Sequence, residues 1–157
     1  MQPKDKAPII TLKCKNSHLI TNNVLTIWDK SHIVIERGQM NKYTTLFYET
    51  ADGKIPAKDF LLSLDYDMRA KMIRTLEILQ RNGPSLREPH SKELEDGIFE
   101  LRARVGTNIS RLLYFYDEGR VVLLTNGFIK KTQRTPRKEI DLAKSYRADY
   151  YARKDKV

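Results

Sequence analysis

The sequence predicts an α+β fold, a small and mostly antiparallel sheet packed against a helical hairpin and a C-terminal helix. Three observations carry this. Residues Phe99 to Val105 alternate apolar and charged without a break, the period-two signature of a strand with two unlike faces. Met68, Met72, Leu76 and Leu79 recur at three- and four-residue spacing, the stripe of an amphipathic helix. Two short turn segments, Gly106-Thr107-Asn108 and Asp117-Glu118-Gly119, divide Ile98 to Ile129 into three runs of strand length, which favours neighbouring antiparallel pairs.

The elements follow in order. Tyr43 to Glu49 reads as a short strand, followed by a turn at Asp52-Gly53. Pro56 suits the first turn of a helix, and Ala57 to Leu64 is a short one. Asp67 to Arg81 is the second helix, stopped by Asn82-Gly83-Pro84; glycine supplies the left-handed cap and proline blocks continuation. Ser85 to Gly97 reads as a polar loop. Strands then follow over Ile98–Val105, Ile109–Tyr116 and Arg120–Ile129. The unbroken apolar run Val121-Val122-Leu123-Leu124 suits burial on both faces. Thr135 is expected to cap a last helix that has Pro136 at its first position and runs to about Tyr150.

At 157 residues the chain suffices for one domain with a core and is short for two. Apolar residues at 40% and charged residues at 31% give a globular balance. No apolar run approaches the roughly 18 residues of a membrane span, so no membrane partner is expected. One cysteine, Cys14, excludes an internal disulfide framework and fits a reducing cytoplasm. With His18, His32 and His90 it shows no metal-ligand spacing, so no metal is expected. The net charge is +9, which favours a polyanionic partner. From Ile98 to Lys138 there are nine Lys or Arg against Glu100, Asp117 and Glu118.

Cleaving RNA without a metal has definite requirements. The 2′-hydroxyl must lose a proton in line with phosphorus, the phosphoryl oxygens need charge stabilisation, and the leaving 5′-oxygen needs a proton. Arginine offers a fixed fork of donors matching phosphate oxygens. Arg102, Arg104, Arg111 and Lys131 come from three neighbouring strands and can converge on one phosphate. Tyr114, Phe115 and Tyr116 read as sheet-packing residues ahead of base-stacking platforms.

The ordered set ELRARVG, RLLYFY and VVLLTNGFIKKTQRTP, followed by a helix, resembles the RelE/ParE superfamily of toxins from type II toxin–antitoxin systems, in its HigB-like, phage-derived branch. The resemblance spans about Met40 to Tyr150. It implies a RelE-like fold and a ribosome-dependent mRNA endonuclease (an mRNA interferase) that inhibits translation without a cofactor. It also implies a hetero-oligomer with a cognate helix-turn-helix antitoxin. By position, Arg102, Arg111 and Lys131 match the family's catalytic cations. Glu100, His90 and Lys92 are the candidate general bases, with Glu100 counted among the catalytic residues. Arg104, Lys130, Lys92 and His90 are expected to contact RNA. Some members place a tyrosine early in the last helix; here that stretch is Arg137-Lys138-Glu139, with no tyrosine before Tyr146.

Two other readings stay open: a ParE-type gyrase inhibitor of the same fold, and a noncatalytic basic binding module. The Arg102/Arg111/Lys131 set favours RNA, because poisoning gyrase does not need converging phosphate ligands. The domain is expected over 40–157. Residues 1–39 show little periodicity and are expected to form a weakly ordered extension. Glu36-Arg37-Gly38 before Met40 is encodable by purine-rich codons that resemble a ribosome-binding site, so Met40 is the expected natural start.

Overall fold

The computed structural model describes residues 42–155; the expectations for residues 1–39 and the start at Met40 lie outside them. The strands are β1 (Thr44–Phe47), β2 (Ser91–Glu95), β3 (Ile98–Val105), β4 (Asn108–Asp117) and β5 (Val121–Ile129). Helices α1 (Pro56–Ser63) and α2 (Tyr66–Asn82) lie between β1 and β2, and α3 (Arg137–Lys154) ends the fold. The sheet order is β1-β5-β4-β3-β2. Only β1 and β5 pair in parallel; the other three pairs are antiparallel. This is the predicted α+β architecture. Among the described residues no helix is long and apolar enough to cross a membrane.

The two sheet faces are covered differently. On one, Leu61, Met68, Met72, Leu76 and Leu79 of the hairpin pack on Leu101, Ala103, Leu112, Tyr114, Val122 and Leu124. On the other, Ala143 of α3 packs with Ile98, Leu113, Phe115 and Leu123, joined by Tyr150 and Tyr151. Each such buried side chain contributes about 1.5–3 kcal/mol. The run Val121–Leu124 serves both cores alternately, as its unbroken hydrophobicity implied.

Local chemistry fixes the hairpin. Asp65 caps α2 by accepting from the Met68 amide at 2.9 Å. Arg69 ties the end of α1 by donating to the carbonyls of Leu61, Leu62 and Leu64 at 3.0, 2.7 and 2.7 Å. Gly83 ends α2 with φ +52°, and a Cβ there would lie 2.1 Å from the Tyr43 ring. No other residue fits both the backbone angle and the contact.

Three local expectations are corrected. The segment read as a polar loop holds β2, which pairs with β3 through Ser91↔Leu101, Lys92↔Glu100 and Glu93↔Phe99. Of its side chains Leu94 packs against a core cluster, so ladder hydrogen bonds carry the strand where hydrophobic patterning does not. Thr135 does not cap α3. Pro136 is the N-cap residue and α3 runs on to Lys154, while the Thr135 hydroxyl is committed elsewhere. The third correction concerns β5, expected from Arg120 and found to start at Val121. Its register with β4 shifts between Leu112↔Gly127 and Tyr114↔Leu124, so Leu113 faces two residues, Thr125 and Asn126. This bulge reverses which side chains point to which face.

Candidate active site

Strict alternation places Ile98, Glu100, Arg102 and Arg104 of β3 on the face that α3 covers. Arg111 of β4 shares it, alternating with Leu113 and Phe115. The helix covers only part of that face. It begins at Arg137, beside β5, where Asn126 donates to the Glu139 carbonyl at 3.3 Å and its carboxylate at 3.1 Å. The stretch around Arg102 and Arg111 lies beyond its first turn. The face is therefore only partly covered, and Glu100 on it is 1% exposed.

Arg102 and Arg111 are direct cross-strand partners. Like charges in that relation repel. Glu100 answers both: its Oε1 accepts from Arg102 Nε at 2.8 Å and lies 3.5 Å from Arg111 Nε. Its Oε2 accepts from the Thr135 hydroxyl at 2.5 Å. That bond ties the segment entering α3 to Glu100. Arg102 also approaches Glu88 Oε2 at 3.5 Å. Arg111 is 7% exposed and its Nε has no hydrogen-bond acceptor among the described residues. Such an orphan donor costs about 1–3 kcal/mol. Burial lowers the pKa of Arg111; Glu100 opposes this and Arg102 adds to it.

The two lysines after β5 separate. Lys130 is half-buried, and its amide donates to the Ile109 carbonyl at 2.8 Å. Burial holds its ammonium pKa below the ordinary lysine value, with Arg111, Arg102 and Lys92 pressing the same way and Glu100 opposing. Lys130 therefore shares the field of the arginine pair. Lys131 is exposed and forms no ion pair among the described residues.

Arg102, Arg104, Arg111 and His90 line one cleft of about 530 Å³, together with Lys71 of α2. The His90 carbonyl accepts from the Arg102 amide at 2.8 Å. Arg104 is exposed, and its Nε donates to the Gly106 carbonyl at 2.8 Å. Lys92 stands opposite Glu100 on β2 and pairs with Glu88 at 3.6 Å, mostly in solvent. Tyr146 is not part of this group; it stacks on Tyr48 at 4.6 Å. The structure thus brings Arg102, Arg111, Arg104 and His90 to one cleft, with Glu100 bonded to the arginine pair, Lys130 in their electrostatic field and Lys92 opposite Glu100 on β2. Thr135 and Lys71 had no sequence signal as site residues, since each contributes through a long-range contact.

A family model described as Phage derived protein Gp49-like (DUF891) matches residues 59–147, more than half of the chain. The match includes every strand of the cationic face and the first part of α3. No curated protein matches the chain at a significant level. With this ordered set of strands, cations and terminal helix in place, the chain belongs to the phage-derived Gp49-like family, within the RelE/ParE-like toxin superfamily.

Proposed function

We propose that the chain is the toxin of a type II toxin–antitoxin system, of the HigB-like branch, and that it cuts mRNA on translating ribosomes in the cytoplasm. The observation that carries this reading is the direct pairing of Arg102 with Arg111 across β3 and β4, with Glu100 between them and Lys130 in the same field. Keeping two cations face to face opposes stability unless an anion is to be bound between or beside them.

The chemistry is transesterification. The substrate's 2′-oxygen attacks phosphorus and the bond from phosphorus to the 5′-oxygen breaks. The products are a 2′,3′-cyclic phosphate and a 5′-hydroxyl end. Arg102 and Arg111 stabilise charge on the phosphoryl oxygens, each donor contributing about 2.7–4 kcal/mol in a well-built site. Lys130, with its proton held more loosely than an ordinary lysine's, protonates the departing 5′-oxygen. Both Glu100 oxygens are engaged, by Arg102 and by Thr135, so Glu100 acts as a positioning residue that aims the arginine pair. Of the other two candidates, His90 lines the same cleft and is the one assigned to accept the 2′-hydroxyl proton. RNA brings its own nucleophile, so cations suffice and no cofactor is invoked.

A basic surface of this kind must be silenced in its host. A helix-turn-helix antitoxin with an acidic segment over the cationic face does this, in a hetero-oligomer whose association slows with added salt. The test is brief induction followed by primer extension on cellular mRNA. The reading expects cuts within codons that vanish with Arg111→Ala. A DNA-damage response without cuts would replace it with gyrase inhibition.

A further inference from the structure

The cleft does not end at the arginine pair. β2 covers the edge of β3 only as far as Leu101, through Ser91. Beyond that point the His90 carbonyl takes one amide, that of Arg102, and the remaining residues of β3 form the sheet margin. Arg104 stands on this margin, and Lys71 reaches the same cleft from α2, on the opposite side of the sheet from α3. Both side chains are exposed, and neither forms an ion pair among the described residues. The cleft lining holds four cations and no carboxylate, with Pro89 and Ile109 as its apolar floor. By contrast, Lys144 is paired with Glu95 and Asp96, and Arg137 with Glu95 and Asp141.

We infer that Lys71 and Arg104 form a second phosphate subsite, and that the RNA strand passes from the arginine pair over the open margin of β3 towards α2. This rests on the phosphodiester reading of the Arg102/Arg111 site and adds the direction in which the substrate leaves it. Arg102 and Arg111 hold the scissile phosphate. Arg104 and Lys71 hold the next one along the backbone, and the nucleotide between them lies against Pro89 and Ile109. Lys71 is a binding residue in this account and takes no part in proton transfer.

The experiment measures binding of the full-length chain, made by cell-free synthesis, by fluorescence anisotropy over a range of salt. One probe is a six-nucleotide RNA with a 2′-deoxy nucleotide at its centre, which 2′-hydroxyl chemistry cannot cut. The other is the dinucleoside monophosphate of its central step. Lys71→Ala is expected to weaken hexamer binding several-fold at low salt and to reduce the slope of log affinity against log salt by about 0.7. Lys71→Glu is expected to weaken it further. Neither change should affect the dinucleoside monophosphate, and Arg120→Gln, at the far end of the sheet, should affect nothing. If both Lys71 variants bind the hexamer like the wild type while Arg111→Ala weakens both probes, the path is overturned and the site stands. If Arg111→Ala weakens neither probe, the phosphate site itself fails and the path with it. A loss with Arg120→Gln equal to that with Lys71→Ala would reduce the effect to net charge and overturn the subsite.

Discussion

The same strands, on the same face of the sheet, change character within two residues. Under α3, Ile98, Leu113, Phe115 and Leu123 pack against Ala143. One step further along, beyond the helix, the same face offers Glu100, Arg102 and Arg111. The charges at the two ends are handled in opposite ways. At the covered end Asp117, 4% exposed at its side chain, accepts from the Tyr150 hydroxyl at 2.7 Å and pairs with Lys154 at 2.9 Å. Glu95 and Asp96 are likewise met by Lys144. At the uncovered end a single buried carboxylate answers two opposed arginines in a field that includes Lys130. The covered half is arranged as a stable core is arranged. The uncovered half keeps a cation excess that stability alone does not favour, and a bound anion would relieve it.

Removing the buried counter-ion breaks the contrast most severely. Glu100→Ala leaves the buried Arg111 without its carboxylate, so thermal denaturation should show a loss of about 3–5 kcal/mol. Next come the arginines. Arg111→Ala and Arg102→Ala should each slow cleavage by about 10²–10³ while the far-ultraviolet circular dichroism stays native. Gly127→Ala acts on the opposite face, where a new Cβ would lie 2.0 Å from the Phe60 ring; overpacking should destabilise by about 1–3 kcal/mol. Lys130→Ala should impair cleavage far more than Lys131→Ala, measured side by side on one substrate. The smallest effect belongs to the covered end. Burial pushes the Asp117 carboxyl up, but the hydrogen bonds from Tyr150 and Lys154 outweigh it and hold it below the ordinary range. A lowered folded pKa contributes stability above the unfolded value of about 3.9 and loses it as pH falls through the folded one. The melting temperature should therefore decline more steeply below about pH 4 in the wild type than in Asp117→Asn.

Sequence patterning reached β3 and α2 through one face committed to a core, β5 through an apolar run that serves both cores, and α1 and α3 through prolines at their starts. It missed β2, where Ser91-Lys92-Glu93-Leu94-Glu95 has little apolar alternation to show. The hairpin signal was nevertheless present: Asp96 and Gly97, with φ of +48° and +71°, form an Asp-Gly turn between β2 and β3. Arg102, Arg111 and Arg104 were legible because alternation fixes their face. The faces of the two lysines were not. Strict alternation onward from Leu123 would carry Lys131 to the α3 face, and the bulge at Thr125-Asn126 reverses that parity in favour of Phe128 and Lys130. Glu100 is also held by Thr135, which lies 35 residues away, and no local pattern encodes such a contact.

Under the proposed function, the uncovered half of the sheet face cleaves a phosphodiester by way of the substrate's own 2′-hydroxyl. The most direct measurement is single-turnover cleavage of a defined mRNA on programmed ribosomes. Purified chain is compared on that mRNA and on one bearing a single 2′-deoxy nucleotide at the cut site. The first should be cut to a 2′,3′-cyclic phosphate end and the second not at all, with a large loss in Arg111→Ala. Cleavage of the 2′-deoxy substrate at the same rate, or full activity of Arg111→Ala, would contradict the proposed function.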